Sequence, residues 1–185
     1  MNPNRPGMLT KINDHFFTEK ENINQSFFYL RDEITLDSCG EVIETILAIN
    51  QPQFEEDDEG FMVEQETPDV INLLITSHGG DMAGAFSLIN VMKGSRIPIR
   101  TIVLGEACSA GLCISMAGHQ RVITPYASLM SHCFSTTVDG QYHEIKNAME
   151  EMNRYNEKMI QFYVDCTQLD PKFIKKNLLN HKDVY

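Results

Sequence analysis

Val70-Ile71-Asn72-Leu73-Leu74-Ile75-Thr76, running into Ser77-His78-Gly79-Gly80-Asp81, is the stretch that decides the fold. Seven residues rich in Val, Ile and Leu read as a buried strand. The paired glycines end it, and a helix is expected from near Asp81 with Ala83, Phe86, Leu88, Ile89 and Met92 on its apolar face. The same grammar returns downstream. Ile99 to Leu104 is a second buried strand, followed by Gly105-Glu106-Ala107-Cys108-Ser109-Ala110-Gly111 and a short helix of small apolar residues to about Gly118. Strands alternating with helices imply an α/β fold with a largely parallel sheet. Both small-residue turns then face one end of that sheet, beyond the carboxyl ends of the strands, where sites form.

Upstream, residues 1–26 are polar and weakly periodic and read as an arm, leaving 27–185 as one domain. Phe27-Phe28-Tyr29-Leu30 begins a strand. Ser38-Cys39-Gly40-Glu41 fits a capping box, opening a helix whose apolar face is Val42, Ile43, Ile46 and Leu47. Residues 51–69 break the pattern, and Glu55-Glu56-Asp57-Asp58-Glu59-Gly60 reads as a solvated acidic loop. Docking of a basic partner there is the other reading. Downstream, Arg121–Thr124 and Ser128–Phe134 read as short strands, and Asp139-Gly140 as a turn. A long helix follows over about 142–166, with Ile145, Met149, Met152, Tyr155, Met159, Phe162 and Tyr163 repeating every three or four residues. Asp170-Pro171 opens a last helix within 167–180.

A net charge of −11 leaves no basic stripe for phosphates and argues against nucleic acid as the main partner. Cys39, Cys108, Cys113, Cys133 and Cys166 form no CxxC pair and no metal-ligand spacing, so reduced thiols in the cytoplasm are the simple reading. Met1–Thr10 carries Pro and Asn where a secretory signal would be apolar. No apolar run of about 18 residues is present to span a membrane.

The second turn carries the chemistry. Ser109 sits where its hydroxyl would be exposed at a helix start, with the helix dipole favouring negative charge nearby. The amides of Gly80 and Ala110 are placed to hold an oxyanion, worth roughly 3–4 kcal/mol per donor in serine peptidases. Serine needs a base. His132, in a strand-like segment, would supply it, and Asp183 would fix the tautomer of His132. Each piece has a plainer reading: a capping serine, a glycine turn, a structural histidine. Ala107 also departs from the G-x-S-x-G elbow. Cys108 and Cys113 read as buried core thiols, Glu106 as a solvated carboxylate, and His181 competes with Asp183 for the third place.

Taken in order, the pieces resemble the ClpP peptidase family. Ile75-Thr76-Ser77-His78-Gly79-Gly80 is similar to its I-N-S-P-G-G, and Gly105–Gly111 to its G-x-A-A-S-M-G. Leu129-Met130-Ser131-His132 resembles its V-M-I-H, and Lys182-Asp183-Val184-Tyr185 its R-D-x-F/W. The serine lies 23 residues before the histidine (132 − 109), and the aspartate 51 after it (183 − 132). The resemblance covers roughly 27–185. It implies a crotonase-like fold of stacked βαβ units with a protruding handle helix at about 142–166. It also implies a Ser109-His132-Asp183 triad and two heptameric rings enclosing the active sites. Unfolded polypeptide would be the substrate, fed by a separate AAA+ unfoldase of ClpX or ClpA type, so ATP is used by the partner and this chain needs no cofactor. The handle's apolar stripe suits a core or a ring-to-ring contact, and the resemblance favours the contact.

There are departures. His78 stands for the family's proline, and Cys133-Phe134 for Gln-Pro. The acidic loop is long, and the N-terminal axial-loop segment is not recognisable. The family continues through a further helix and strand where this sequence ends two residues after Asp183. A frayed Asp183 is therefore expected, and a divergent member, viral or accessory, fits these differences. Two other readings stay open: a non-catalytic ring subunit that modulates a host peptidase, and a crotonase-like acyl-CoA enzyme that shares the oxyanion amides without needing the serine–histidine pair.

Overall fold

A computed structural model describes residues 25–185, apart from positions 58, 65 and 136. All but the last two residues of the expected 1–26 arm lie outside the described residues. The first strand, β1 (Gln25–Ile34), starts two residues ahead of the apolar run that announced it. Helix α1 (Leu36–Ile49) follows after a single residue. Its capping box is not the expected one. Thr35 is the N-cap, its hydroxyl accepts from the Ser38 amide at 3.0 Å, and Ser38 Oγ accepts from the Thr35 amide at 2.9 Å. The chain leaves β1 directly into the helix, which moves the cap three residues upstream and makes Ser38 the reciprocating partner.

The acidic segment is a hairpin and not an unstructured loop. Strands β2 (Phe54–Glu56) and β3 (Met62–Glu64) pair antiparallel. The Asp57 carboxylate accepts from the Glu59 and Phe61 amides, both at 2.9 Å, so one of the acids builds the turn. The expectation of solvation holds, since both strands are exposed throughout.

Then come β4 (Val70–Gly80), α2 (Met82–Gly94), β5 (Ile99–Cys108), α3 (Ala110–Met116), β6 (Gln120–Ile123) and β7 (Ser128–Met130). The sheet order is β1-β4-β5-β6, with every pairing parallel. Strand β5 is long enough to hold two partners on one side, pairing β6 through Arg100–Val103 and β7 through Glu106–Cys108. The α/β class with a parallel sheet is therefore as read. The expected strand over 128–134 stops at Met130, because Ser131 turns to an antiparallel bridge with Val184.

Alternation along the strands sets which face is covered. Leu73 and Ile75 are buried beneath the helices, while Leu74 and Thr76 are only half-buried. Helix α2 buries Met82, Ala85, Leu88, Ile89 and Met92 as its stripe requires, but Ala83 faces solvent, one residue out of phase. Helix α4 (Tyr142–Thr167) divides. Met159, Phe162 and Tyr163 enter the core, whereas Ile145 and Met149 in its first half are 38% and 59% exposed. One stripe thus serves as core over the second half and stands out from the body over the first. Helix α5 (Pro171–Phe173), capped by Asp170, runs into a π turn at Ile174–Leu178.

Candidate active site

Strand β5 delivers Ser109 through a tight reversal. Its backbone is at φ +52°, ψ −117°, a conformation that a residue bearing a β-carbon rarely adopts. Such a conformation persists only when surrounding structure enforces it. Here the Ser109 amide donates to the Met130 carbonyl at 2.9 Å, extending the β5–β7 ladder by one step. Ser109 occupies the N-cap position of α3 but makes no capping hydrogen bond with its side chain. The plain capping role is thereby excluded, and the hydroxyl is directed elsewhere.

It meets His132. Nε2 of His132 lies 2.7 Å from Ser109 Oγ, within hydrogen-bond reach. His132 follows β7 by two residues, so the ladder that fixes Met130 against Ser109 also fixes this separation. On the other side of the imidazole, Nδ1 lies 3.7 Å from Asp183 Oδ1, an ion-pair distance longer than a hydrogen bond. The His132 side chain is 26% exposed and that of Asp183 is 56% exposed.

The expected fraying of Asp183 is not found. Val184 and Ser131 exchange two backbone hydrogen bonds, each 2.9 Å, and the Cys133 amide donates to the Asn180 carbonyl at 3.0 Å. These bracket Asp183 against the segment carrying His132. His181 goes to Cys133 instead, with Nδ1 3.6 Å from Sγ, and does not reach His132's other face.

The two glycines are required by close approach. A β-carbon on Gly79, whose φ is +104°, would lie 2.8 Å from the Cys108 carbonyl oxygen and 2.9 Å from Ser109 Cβ. One on Gly80, at φ +146°, would run into the Ile34 backbone. The turn after β4 therefore packs on the turn after β5. Ala110 is the first residue of α3, where amides lack an intrahelical acceptor. Gly80, Ser109 and His132 share the wall of a cleft of about 220 Å³, completed by Met82, Met130 and Phe134. His78 is exposed at its rim.

All five residues singled out in the sequence, Ser109, His132, Asp183, Gly80 and Ala110, thus fall at one end of the sheet. Cys108 and Cys113 are buried, as expected. Burial first, then the nearby Glu106 carboxylate, raises the Cys108 thiol above its ordinary range, so it is not a competing thiolate beside Ser109. Glu106 is half-buried and accepts from Cys108 Sγ at 3.8 Å, a role its sequence context did not suggest.

Two supports went unread. Ser131, 4% exposed, donates to the Leu178 carbonyl and accepts from the Tyr163 hydroxyl, both at 2.8 Å. It ties the His132 segment to α4 and to the C-terminal turn. Ser77, 1% exposed, lies under the glycine turn. Ser77 stands in the segment similar to I-N-S-P-G-G and Ser131 beside His132, but neither serine's type says what its hydroxyl would bond.

A family model described as Clp protease matches residues 59–183. That span is more than half of the sequence and contains both glycine-bearing turns, Ser109, His132 and Asp183. The chain belongs to the Clp protease family.

Proposed function

We propose that this chain is a serine-type endopeptidase subunit in which Ser109 is the nucleophile, His132 the general base and Asp183 the residue that orients His132. The observation that carries the reading is the 2.7 Å contact between Ser109 Oγ and His132 Nε2, made by a serine that does not cap its helix. In the reaction, Oγ attacks the carbonyl carbon of a peptide bond while Nε2 takes its proton. The carbonyl oxygen becomes an oxyanion, held by the amides of Gly80 and Ala110. The imidazolium returns its proton to the leaving amine, the C–N bond breaks, and an ester to Ser109 remains. Water, deprotonated by the same imidazole, hydrolyses that ester and restores the hydroxyl. Every group used belongs to this chain, and no cofactor enters.

The wider reading follows the family. The subunits assemble into heptameric rings, two of them face to face, with α4 as the handle whose exposed first half meets the opposite ring. Unfolded polypeptide is the substrate, delivered by an AAA+ unfoldase that spends the ATP. No helix among the described residues is long and apolar enough to cross a membrane. The five unpaired thiols suit a reducing compartment, and the cytoplasm is the proposed location.

One distance favours a weaker enzyme, a ring subunit with little activity of its own. It is the 3.7 Å separation between His132 and a half-exposed Asp183. A fluorophosphonate probe separates the readings. Labelling that disappears in Ser109→Ala, with fluorogenic peptide hydrolysis lost in parallel, supports the peptidase. Labelling that persists in Ser109→Ala, or none in the assembled wild-type protein, removes it.

A further inference from the structure

Resting on the peptidase reading, the structure assigns a positioning role to Ser77. We infer that its hydroxyl, braced by the backbone of Asp32, holds the oxyanion turn against the nucleophile turn. Ser77 Oγ donates to the Asp32 carbonyl at 2.5 Å and accepts from the Gly79 amide at 3.1 Å. A hydroxyl has one proton, so this arrangement uses it fully in one direction. The result is a three-point strut from β1, through Ser77, to the residue beside Gly80.

Each end of the strut is built at a local cost. Asp32 has φ +65°, one of three non-glycine residues with positive φ among the described residues; Ser109 is another. The β1–β4 register shifts between Arg31 and Glu33, where Asp32 alone stands opposite Ser77 and His78, so the extra residue of the bulge lies on β4. The β4–β5 register shifts between Ile75 and Ser77, immediately before the strut. Bulges re-aim a strand next to a site. Here the bulge on β4 falls at Ser77 itself, opposite the left-handed Asp32 whose carbonyl it meets, and the extra residues of the second shift lie on β5, opposite Thr76.

Ser77 also touches the other turn. A β-carbon on Gly111 would lie 3.2 Å from Ser77 Cβ, so the helix carrying Ser109 rests against this residue. Gly79 in turn abuts Ser109. Ser77 therefore sits between the two amides assigned to the oxyanion, fixing the Gly80 side by hydrogen bonding and the Ala110 side by packing. Losing the hydroxyl leaves the Asp32 carbonyl and the Gly79 amide without this partner and frees the turn to shift. A displacement of about 1 Å in a catalytic constellation lowers rates by about 100-fold. Because the oxyanion exists only in the transition state, the effect falls on kcat and not on KM.

The test compares Ser77→Ala and Ser77→Cys with wild type, each corrected for active sites titrated by a fluorophosphonate. Thr101→Val serves as control: it removes another buried hydroxyl, bonded to the Ser115 carbonyl at 2.6 Å and remote from the cleft. In Ser77→Ala, kcat per titrated site is expected to fall about 10- to 100-fold, with KM moving less than about twofold. Affinity for a peptide boronic acid, which places a charged oxygen in the same position, falls in parallel. Ser77→Cys, which keeps a weaker donor and acceptor, falls between, and it carries the test if the alanine variant does not fold. Thr101→Val keeps its rate per site. Wild-type turnover per titrated site in folded Ser77→Ala or Ser77→Cys overturns the assignment, as does an equal fall in Thr101→Val. Absence of labelling in the wild type overturns the peptidase reading itself, and this inference with it.

Discussion

Replacing Asp183 by asparagine measures how much the carboxylate contributes to a site in which it stands 3.7 Å from the imidazole and is 56% exposed. A unit charge pair at that distance interacts by about 1.1 kcal/mol at the dielectric constant of water and about 4.5 kcal/mol at an effective value of 20. Half exposure places the pair nearer the watery limit, so about 1.5–2.5 kcal/mol of imidazolium stabilisation is expected. That corresponds to a fall of about 10- to 100-fold in kcat/KM, well short of the roughly 10⁴-fold loss seen when a buried, hydrogen-bonded triad aspartate is amidated. The assay is hydrolysis of a fluorogenic peptide per titrated active site at pH 7.5, repeated at low and high salt. Screening acts on an exposed pair, so the gap between wild type and Asp183→Asn narrows as salt rises. A loss beyond about 1,000-fold, insensitive to salt, would refute the reasoning, because it would mean a desolvated hydrogen bond in the working enzyme. A loss under about twofold would refute it from the other side and leave His132 without a carboxylate partner.

Three further outcomes follow from packing and ionisation. Gly79→Ala drives a β-carbon against the Cys108 carbonyl at φ +104°; it is expected to cost about 2–4 kcal/mol of stability and to abolish probe labelling, and full labelling at unchanged Tm would contradict it. Along α4, Met159→Ala, at a 1% exposed position, should cost about 2–4 kcal/mol in urea denaturation. Met149→Ala, at a 59% exposed position, should stay within about 0.5 kcal/mol in the dissociated subunit, and Met149→Glu should shift sedimentation if the exposed half meets a second ring. Burial pushes the Cys113 thiol from 9.0 up to about 12. Folding therefore favours the protonated form. The stability this gives is complete below pH 9 and is lost as pH rises towards 12, because the unfolded chain ionises first. The loss at pH 10 is on the order of 1 kcal/mol, and Cys113→Ala should flatten that part of the pH profile; an equal alkaline slope in both proteins would show that the thiol is not the source.

The fold was legible wherever burial and period agreed. Strands β4 and β5 are long, branched and flanked by small residues, so they could hardly be read otherwise, and α2 and α4 carry clear apolar stripes. Errors gathered where a choice between equivalent local signals was made by tertiary geometry. Thr35 and Ser38 both suit an N-cap, and only the length of β1 decides that Thr35 takes the position. The acidic run repels itself, which argues for solvation, yet Asp57 spends its carboxylate on two backbone amides and nucleates a turn. Nothing in the α4 periodicity distinguishes Met149 from Met159, because a helix stripe reports one apolar face and not what covers it.

The candidate site was legible in its proposed reacting groups, which the structure brings together, and opaque in its supports, and the difference has a physical cause. A nucleophile, a base and an oxyanion turn each demand a residue type at a chain position set by strand ends, so Ser109, His132 and the glycines leave a trace in spacing. A support demands only that some polar atom reach a given point, so neither Ser77, though it stands in a quoted motif, nor Ser131 nor the Asp32 carbonyl announces that role by residue type. Asp32 contributes through its backbone, which leaves no side-chain signal at all. Asp183 lies between the two classes. Its type and spacing were readable, but its placement depends on a backbone bridge between Ser131 and Val184, residues that flank His132 and Asp183 and carry no chemistry of their own. That bridge is antiparallel, lies outside the strands of the parallel sheet, and joins two segments that α4 separates in sequence. Asp183 is therefore placed through the backbone pairing of its neighbours, and on the peptidase reading its 3.7 Å separation from His132, longer than the 2.7 Å between His132 and Ser109, is the distance on which activity would turn.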